Sequence, residues 1–249
     1  MPRLSAIIIT KNEAGNIAAC LDSVAFADER LVVDCGSDDD TVRIAKEHGA
    51  QVSFHRFEGF GPQFNHALSL ARGEWIFSID ADERVTPELA AELENAMRAG
   101  SAVGYEMPRL STFCGREMRH SGWYPDFVLR LWRRGHARWS DDLVHPRPVC
   151  DGTVARLSQP LLHHPVVRIE QALARIDHYS TLAAEMLVAR GKPVTFASGF
   201  LHGAWTFLRT FVLQAGFLDR REGLLLAIAN AQGTYYKYMK AWLAGRRRG

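Results

Sequence analysis

The chain has almost no excess of charge of either sign. Its 30 lysine and arginine residues are matched by 28 aspartate and glutamate residues, which leaves a formal net charge of +2 over 249 residues. Proteins that bind duplex nucleic acid usually carry a strong basic excess. We therefore expect no nucleic-acid partner.

Cysteine is scarce, and no pair of cysteines has the spacing of a metal or redox motif. The four cysteines are Cys20, Cys35, Cys114 and Cys150. The first residues also lack the charged segment, long apolar stretch and cleavage site of a secretory leader. We therefore expect reduced thiols in a cytoplasmic chain.

Hydrophobic residues make up 47% of the 249 residues, which is enough for one main domain with an appendage. Short apolar runs alternate with segments of helical spacing in the first hundred residues. Four of the runs are predicted strands: Leu4 to Thr10, Arg30 to Asp34, Gln51 to His55 and Trp75 to Asp80. This rhythm predicts an α/β fold with a mainly parallel central sheet flanked by helices.

Polar residues follow three of these runs at the point where each strand should end. They are Lys11-Asn12-Glu13, the segment from Asp34 to Asp38, and Asp80-Ala81-Asp82-Glu83. Ligands bind such sheets beyond the carboxyl ends of the strands. The sequence therefore predicts a ligand site among these acids.

The Asp80-Ala81-Asp82 sequence is a D-x-D motif between a predicted strand and the predicted helix start at Thr86-Pro87. Hard cations such as Mg²⁺ and Mn²⁺ prefer oxygen ligands, commonly one or two carboxylates plus substrate phosphates. A solvated acidic turn that includes Glu83 is the alternative. The position at a fourth strand end favours a divalent metal that stabilises a departing nucleoside diphosphate.

Four segments of the first half resemble family 2 inverting glycosyltransferases of the GT-A fold. They are Ile9 to Glu13, Asp34 to Thr41, Asn65 to Gly73, and Asp80 to Glu83. Four further segments resemble the bacterial lipopolysaccharide core β-1,4-glucosyltransferases within that family. These are Gly59 to Gln63, Gly122 to Asp126, Arg130 to Gly135, and Val144-His145.

The resemblance implies a UDP-sugar donor, and it implies a role for particular residues. The implied donor-binding residues are Thr10, Asn12, Glu13, Asp34, Gln63, Asn65 and Asp80. Asp82 would hold the metal, Mg²⁺ or Mn²⁺, and His145 would coordinate it or contact the diphosphate. For Glu13 and Asn65, ordinary capping of a helix start is the alternative.

Inversion at the sugar carbon needs a general base, and a carboxylate is the usual choice. The resemblance favours Asp126, with Asp142 as the second candidate and an ion pair with Arg130 as the structural alternative for Asp126. Arg130 and Arg133 are predicted to hold phosphate or an anionic acceptor through forked hydrogen bonds.

Three helices are predicted beyond Pro165: Ile169 to Arg190, Phe196 to Phe217 and Glu222 to Leu243. The second is long enough for a membrane span, but Arg209 interrupts it, which favours a helix lying on the membrane surface. Packing on the catalytic domain is the alternative. The aromatic residues near the C-terminus and the basic run Arg246 to Arg248 favour peripheral attachment to the cytoplasmic face of the inner membrane.

The expected organisation is a GT-A-like catalytic domain over 1–165, with nucleotide-sugar binding in 1–100 and the acceptor side in 101–165, and a helical membrane-associating extension over 166–249. The implied activity moves a hexose, with glucose as the implied sugar, to inner-core heptose of lipopolysaccharide or a similar lipid-linked glycan. Two alternatives remain. A metal-dependent nucleotidyltransferase would need a Gly-rich phosphate loop, which is lacking, and a non-catalytic sugar-nucleotide-binding protein would not need both acids and Asp126.

Overall fold

The computed structural model describes residues 3–140, 147–166, 169–191 and 193–246. The strands are β1 (Leu4–Thr10), β2 (Glu29–Asp34), β3 (Gln51–Phe54), β4 (Trp75–Ser78), β5 (Glu83–Arg84), β6 (Gly104–Phe113), β7 (Arg116–Glu117), β8 (Asp126–Arg133), β9 (Ala137–Trp139), β10 (Pro148–Cys150), β11 (Val154–Arg156) and β12 (Leu161–Val166). The helices are α1 (Ile17–Ser23), α2 (Thr41–Glu47), α3 (Phe60–Leu70), α4 (Pro87–Ala99), α5 (Ile169–Ala189), α6 (Phe196–Leu208) and α7 (Arg220–Arg246).

The central sheet has the strand order β3-β2-β1-β4-β8-β6-β12-β5, with β7 and β11 pairing with β6. Strands β3, β2, β1 and β4 are parallel, as predicted. Strand β8 then runs antiparallel to both β4 and β6, so the second half of the sheet is mixed. The predicted α/β class and all four predicted strands are confirmed.

Strand β1 shows why the sheet is covered on both faces. Leu4, Ala6 and Ile8 belong to one cluster of buried hydrophobic residues, whereas Ile7 belongs to a second cluster. Side chains alternate between the faces of a strand, and both sets here are buried, as expected for parallel strands between helices. The first cluster includes residues of α1, α2 and α4, and the second includes Ala67 of α3.

Helix α4 begins where the sequence predicts. The Thr86 hydroxyl accepts a hydrogen bond from the Leu89 amide at 3.2 Å, and Pro87 occupies the first turn, where its missing N–H costs nothing. Gly100 ends the helix in the left-handed region with φ 59°. The cap fixes the helix start after the acidic turn that follows β4.

The chain divides into two compact units. The sheet unit comprises 1–109 and 126–163, and the helical unit comprises 110–125 and 164–249. The segment 110–125, which the sequence reading assigns to the acceptor side of the catalytic domain, therefore groups with the helices. The predicted domain limit at residue 165 stays a prediction.

The predicted helix from Phe196 to Phe217 is helical as far as Leu213 and wrong beyond that residue. Helix α6 ends at Leu208, and a π-helical turn (Arg209–Leu213) and a 3₁₀ turn (Gly216–Asp219) follow it. The chain turns at Ala215, which has a φ of 53°, and a Cβ on Gly216 would lie 2.6 Å from the Thr210 carbonyl oxygen. This close approach of backbone to backbone interrupts the helix. None of the helices in the described part of the chain combines the length and apolar character needed to cross a bilayer.

Candidate active site

The sheet unit contains a cavity of about 1320 Å³ at the carboxyl edge of its parallel strands. Thr10 from the end of β1, Cys35 from just after β2 and Asp80 from just after β4 all line this cavity. Strands β6 and β8 contribute the opposite wall, which includes Arg109 and Phe127. The acids that the sequence places after neighbouring strands thus meet at one edge of the sheet, as expected.

The four residues from Asp80 to Glu83 form a tight turn after β4. The Glu83 amide donates to the Asp80 carbonyl oxygen at 2.9 Å, and the Asp80 amide donates to the Glu83 carboxylate at 3.0 Å. Arg84 donates to the carbonyl oxygens of Ala81 and Asn16 at 2.8 and 2.9 Å. These bonds hold the turn while the Asp80 and Asp82 side chains line the cavity.

A buried arginine pairs with two of the three acids in this turn. One guanidinium nitrogen of Arg130 lies 2.5 Å from Asp80 Oδ2 and 2.6 Å from Glu83 Oε1. The Glu83 side chain is fully buried, and the Arg130 side chain is 6% exposed. Burial alone would lower the pKa of Arg130, but the two carboxylates outweigh it and raise this pKa. Arg130 is therefore a permanent cation within the site.

Asp82 has a histidine as its neighbour. Strand β12 pairs antiparallel with β5 and places His163 opposite Glu83, and His163 Nε2 lies 3.5 Å from Asp82 Oδ2. Burial opposes ionisation of Asp82, but the hydrogen bond and charge of His163 outweigh it, so the pKa of Asp82 is lowered. Both side chains line the cavity.

A second arginine joins the acidic turn to Asp126. Arg109 Nη2 lies 2.6 Å from Asp126 Oδ2, and Arg109 Nη1 lies 3.7 Å from Glu83 Oε1. The pairing of β6 with β8 sets Arg109 directly opposite Asp126. The ion pair that the sequence suggested for Asp126, with Arg130, is therefore wrong, because Arg130 is held by Asp80 and Glu83.

A family model described as Glycosyl transferase family 2 matches residues 5–154 of the chain. The chain belongs to this family. It is 30% identical to the lipopolysaccharide core biosynthesis glycosyltransferase LpsC of Rhizobium meliloti, over 94% of this chain and 93% of that protein. It is 29% identical to an uncharacterized glycosyltransferase of Rickettsia prowazekii, over 96% of this chain and 87% of that protein.

A solved structure of S. aureus TarS shares the fold of this glycosyltransferase. The two chains have a TM-score of 0.50 and 15% sequence identity, and the likeness covers 99% of this chain and 92% of the TarS chain. The GT-A-like fold predicted from the resemblance is confirmed.

Four of the predicted donor-binding residues of the glycosyltransferase line the cavity: Thr10, Glu13, Gln63 and Asp80. The buried Thr10 hydroxyl has no hydrogen-bond partner among the described residues, although such groups are rarely left unpaired. Gln63 instead uses its amide on His55, with Oε1 2.9 Å from the ring nitrogen Nδ1. The donor-binding roles of these four residues stay predictions.

The other three residues predicted to bind the sugar donor form hydrogen bonds with backbone groups and do not line the cavity. Asp34 accepts hydrogen bonds from the amides of Gly36 and Ser37 at 2.8 and 3.0 Å. Asn12 accepts from the Asp38 amide at 3.0 Å. The Asn65 amide group makes two bonds to the backbone of Trp139, at 2.9 and 3.2 Å, and Asn65 lies within α3, so it does not cap the start of that helix. The donor-binding roles of Asp34, Asn12 and Asn65 stay predictions.

The two arginines predicted to bind phosphate or an anionic acceptor both pair with acids of the protein, and their predicted roles stay predictions. Arg130 lines the cavity and pairs with Asp80 and Glu83 of the acidic turn. Arg133 lies opposite Trp75, the first residue of β4, which is the edge of the sheet away from the cavity, and it pairs with Glu74 at 3.5 Å. The other predicted residues, Asp142 and His145, lie outside the described residues.

Sequence reasoning missed Arg109 and His163, which line the cavity and contact its acids. Each is distant in sequence from the acid that it contacts, so no short motif marks it. Lys11 also lines the cavity and is visible in the sequence, because it follows β1 directly. Phe57 and Phe60, whose rings meet edge to face at 5.2 Å, add an exposed aromatic surface to the cavity wall.

Replacing Arg130 by Met should strongly destabilise the protein, because Asp80 and the fully buried Glu83 would lose their cation. We expect a loss of about 3–5 kcal/mol in the free energy of unfolding. The matched control is Arg133→Met in the same strand, where the side chain is 44% exposed. That control should lose about 1 kcal/mol or less. Denaturant unfolding followed by tryptophan fluorescence measures both, and equal losses would contradict the role given to Arg130.

Proposed function

We propose that this glycosyltransferase transfers a hexose with inversion from a UDP-sugar to the inner-core heptose of lipopolysaccharide, with glucose as the sugar. The acceptor proposal is supported by the likeness to LpsC of Rhizobium meliloti, which is named for lipopolysaccharide core biosynthesis. The donor proposal is supported by S. aureus TarS, which has the same fold and was solved in complex with UDP-GlcNAc.

The observation that carries the proposal is the acidic turn at the carboxyl edge of the sheet. Asp80 and Asp82 line the same cavity as the unpartnered hydroxyl of Thr10, and Lys11 adds a cation. A nucleoside diphosphate needs hydrogen-bond donors for its oxygens and neutralisation of its charge. The cavity has room and chemistry for both.

The residues present fit a divalent cation, Mg²⁺ or Mn²⁺. Within the described ranges, no group of three or more His, Cys, Asp and Glu side chains forms a metal site of its own. Such a cage is not required, since these cations are commonly held by one or two carboxylates together with substrate phosphates. Asp82 is the proposed ligand, because its neighbours Asp80 and Glu83 already pair with Arg130. When bound, the cation would stabilise the negative charge on the departing UDP.

Asp126 is the proposed general base. Its two hydrogen bonds from Arg109 both end on Oδ2, and within the described residues Oδ1 is left to accept a proton from the acceptor hydroxyl. As that proton moves to Asp126, the acceptor oxygen forms its bond to the anomeric carbon and the bond to UDP breaks. Asp126 is 45% exposed, which leaves it accessible to an acceptor from solution.

The helical unit is proposed to attach the enzyme peripherally to the cytoplasmic face of the inner membrane. Large apolar side chains of its helices are exposed, including Leu201 at 70% and Leu213 at 63%. Apolar side chains beside cations suit the surface of an anionic bilayer. An acceptor anchored in that membrane would then be encountered at a high local concentration.

The proposed reaction predicts release of UDP from UDP-glucose that requires both a divalent cation and heptose-exposing lipopolysaccharide. Asp82→Asn should abolish the metal-dependent binding of UDP, because it removes the charge that attracts the cation. Titration calorimetry of UDP with and without Mn²⁺ measures this directly, alongside the release assay.

The control is Asp40→Asn, at a surface acid that pairs with Arg43. It should bind UDP and Mn²⁺ as the parent does. Unchanged metal-dependent UDP binding in Asp82→Asn would refute the metal assignment, and a screen of other UDP-sugars and truncated acceptors would correct the substrates.

Asp126→Asn should lower kcat about 100-fold or more while the KM for the UDP-sugar stays similar, because the donor site is kept and only proton transfer is lost. Asp142→Asn, at the second candidate base, should be much milder. Steady-state kinetics of both variants decide between them. A nearly silent Asp126→Asn together with a crippled Asp142→Asn would reverse the roles.

Replacing Arg246, Arg247 and Arg248 by Ser should weaken binding to anionic vesicles, since each cation near such a surface contributes about 1 kcal/mol. Transfer to a short soluble acceptor should hardly change. The matched control removes three cations of the sheet unit, by replacing Arg43, Lys46 and Arg98 with Ser. Sedimentation with vesicles at low and high salt measures the binding, and equal effects of the two triple variants would contradict attachment through the tail.

A further inference from the structure

The helical unit contains a second cavity, of about 460 Å³, which we call the helical groove. It lies between one face of α5 and one face of α7. The lining residues follow each helix at intervals of three or four: Ala172, Ile176, Tyr179 and Ala183 on α5, and Leu226, Asn230, Gly233 and Lys237 on α7. Its volume falls within the range of small-molecule pockets, about 300–1,000 Å³.

The walls of the helical groove are apolar, and small residues make it wide. Phe113 and Trp123 contact each other edge to face at 5.8 Å and line it. Gly233 faces Ile176, and a Cβ built on Gly233 would have only the Ile176 methyl group within 4 Å, at 3.7 Å. Such a slot between two helices accommodates an apolar chain.

Two cations also line the groove without an acidic partner. Among the described residues, no carboxylate forms an ion pair with Arg175 or Lys237, and Lys237 contacts only the ring of Tyr238, at 5.1 Å. Lys240, one turn further along α7, differs because it pairs with Asp177 at 2.8 Å. The groove therefore combines apolar walls with two positive charges that are open to an anion.

The outer surface next to the groove is apolar as well. Tyr179 of α5 lines the groove and is 64% exposed, and Met186, two turns further along the same face of α5, is 54% exposed. An inorganic anion would pair with the cations but leave the apolar walls exposed to water. A neutral acyl chain would cover the apolar walls but leave the cations unpaired. An amphiphile with an acyl chain and a phosphate satisfies both.

We propose that the helical groove binds one anionic phospholipid of the bilayer, with an acyl chain between α5 and α7 and its phosphate against Arg175 and Lys237. This site contains no residue of the acidic cavity. It is also independent of the basic tail, so it goes beyond the proposed transfer reaction and can stand or fail without it.

The test measures binding of lyso-phosphatidylglycerol, kept below its micelle concentration, to the full-length protein by calorimetry and native mass spectrometry. The parent should bind one molecule per chain. Gly233→Leu should weaken this binding at least tenfold, because the new side chain fills the slot. Gly245→Leu is the matched control on the same helix, where a Cβ meets no atom within 4 Å, and it should bind as the parent does.

A charge variant keeps the test decisive if Gly233→Leu does not fold. Arg175→Gln with Lys237→Gln should also weaken binding at least tenfold. The control, Arg190→Gln just after α5 with Arg221→Gln in α7, should not weaken it. Lyso-phosphatidylcholine should bind more weakly than the anionic lipid, and inorganic phosphate alone should not bind.

Three outcomes would overturn the proposal. The first is unchanged lipid binding in both groove variants. The second is equally tight binding of inorganic phosphate, which would indicate a simple anion site. The third is a dimeric parent that Gly233→Leu converts to a monomer, which would make a second copy of the chain the occupant of the groove.

Discussion

The buried Arg130 guanidinium is the interaction on which the site depends. Three carboxylates within four residues would repel one another at the edge of a low-dielectric core, and burial makes each charge costly. Arg130 binds Asp80 and Glu83 through one nitrogen, so the two acids share its positive charge. Asp82 is left as the acid of the turn with no arginine partner within 4 Å among the described residues, and its neighbour is His163.

Much of the fold could be predicted because its signals are local. The strands are short apolar runs, and the start of α4 follows from Thr86 and Pro87, whose effects reach only one turn along the chain. The change from α6 to a π-helical turn at Arg209 had no such signal, because the apolar composition continues through it. The close approach of Gly216 to the backbone of Thr210 is likewise a contact that composition does not report.

The candidate site could be predicted only as far as its strand ends. Glu13 and Asp82 come directly after strands, so topology alone brings them to the cavity. The partners Arg109 and His163 lie on β6 and β12, in the mixed half of the sheet. The spacing of residues in the sequence does not reveal which strands pair there. For a residue such as Asn65, the sequence shows a polar side chain but not its hydrogen-bond partner. In the structure this partner is the backbone of Trp139.

The charged groups of the site form an alternating series: Asp80, Arg130, Glu83, Arg109 and Asp126. Burial raises the pKa of Glu83, and with all three carboxyl groups ionised the series has a net charge of −1. If Asp126 takes a proton from the acceptor, as proposed, two carboxylates and two guanidinium groups remain, and the series becomes neutral. Arg109 would then lose the charge of one partner but keep Glu83, whose Oε1 lies 3.7 Å away. Proton transfer to Asp126 therefore leaves neither guanidinium without a carboxylate, which lowers the electrostatic cost of using an ion-paired acid as a base.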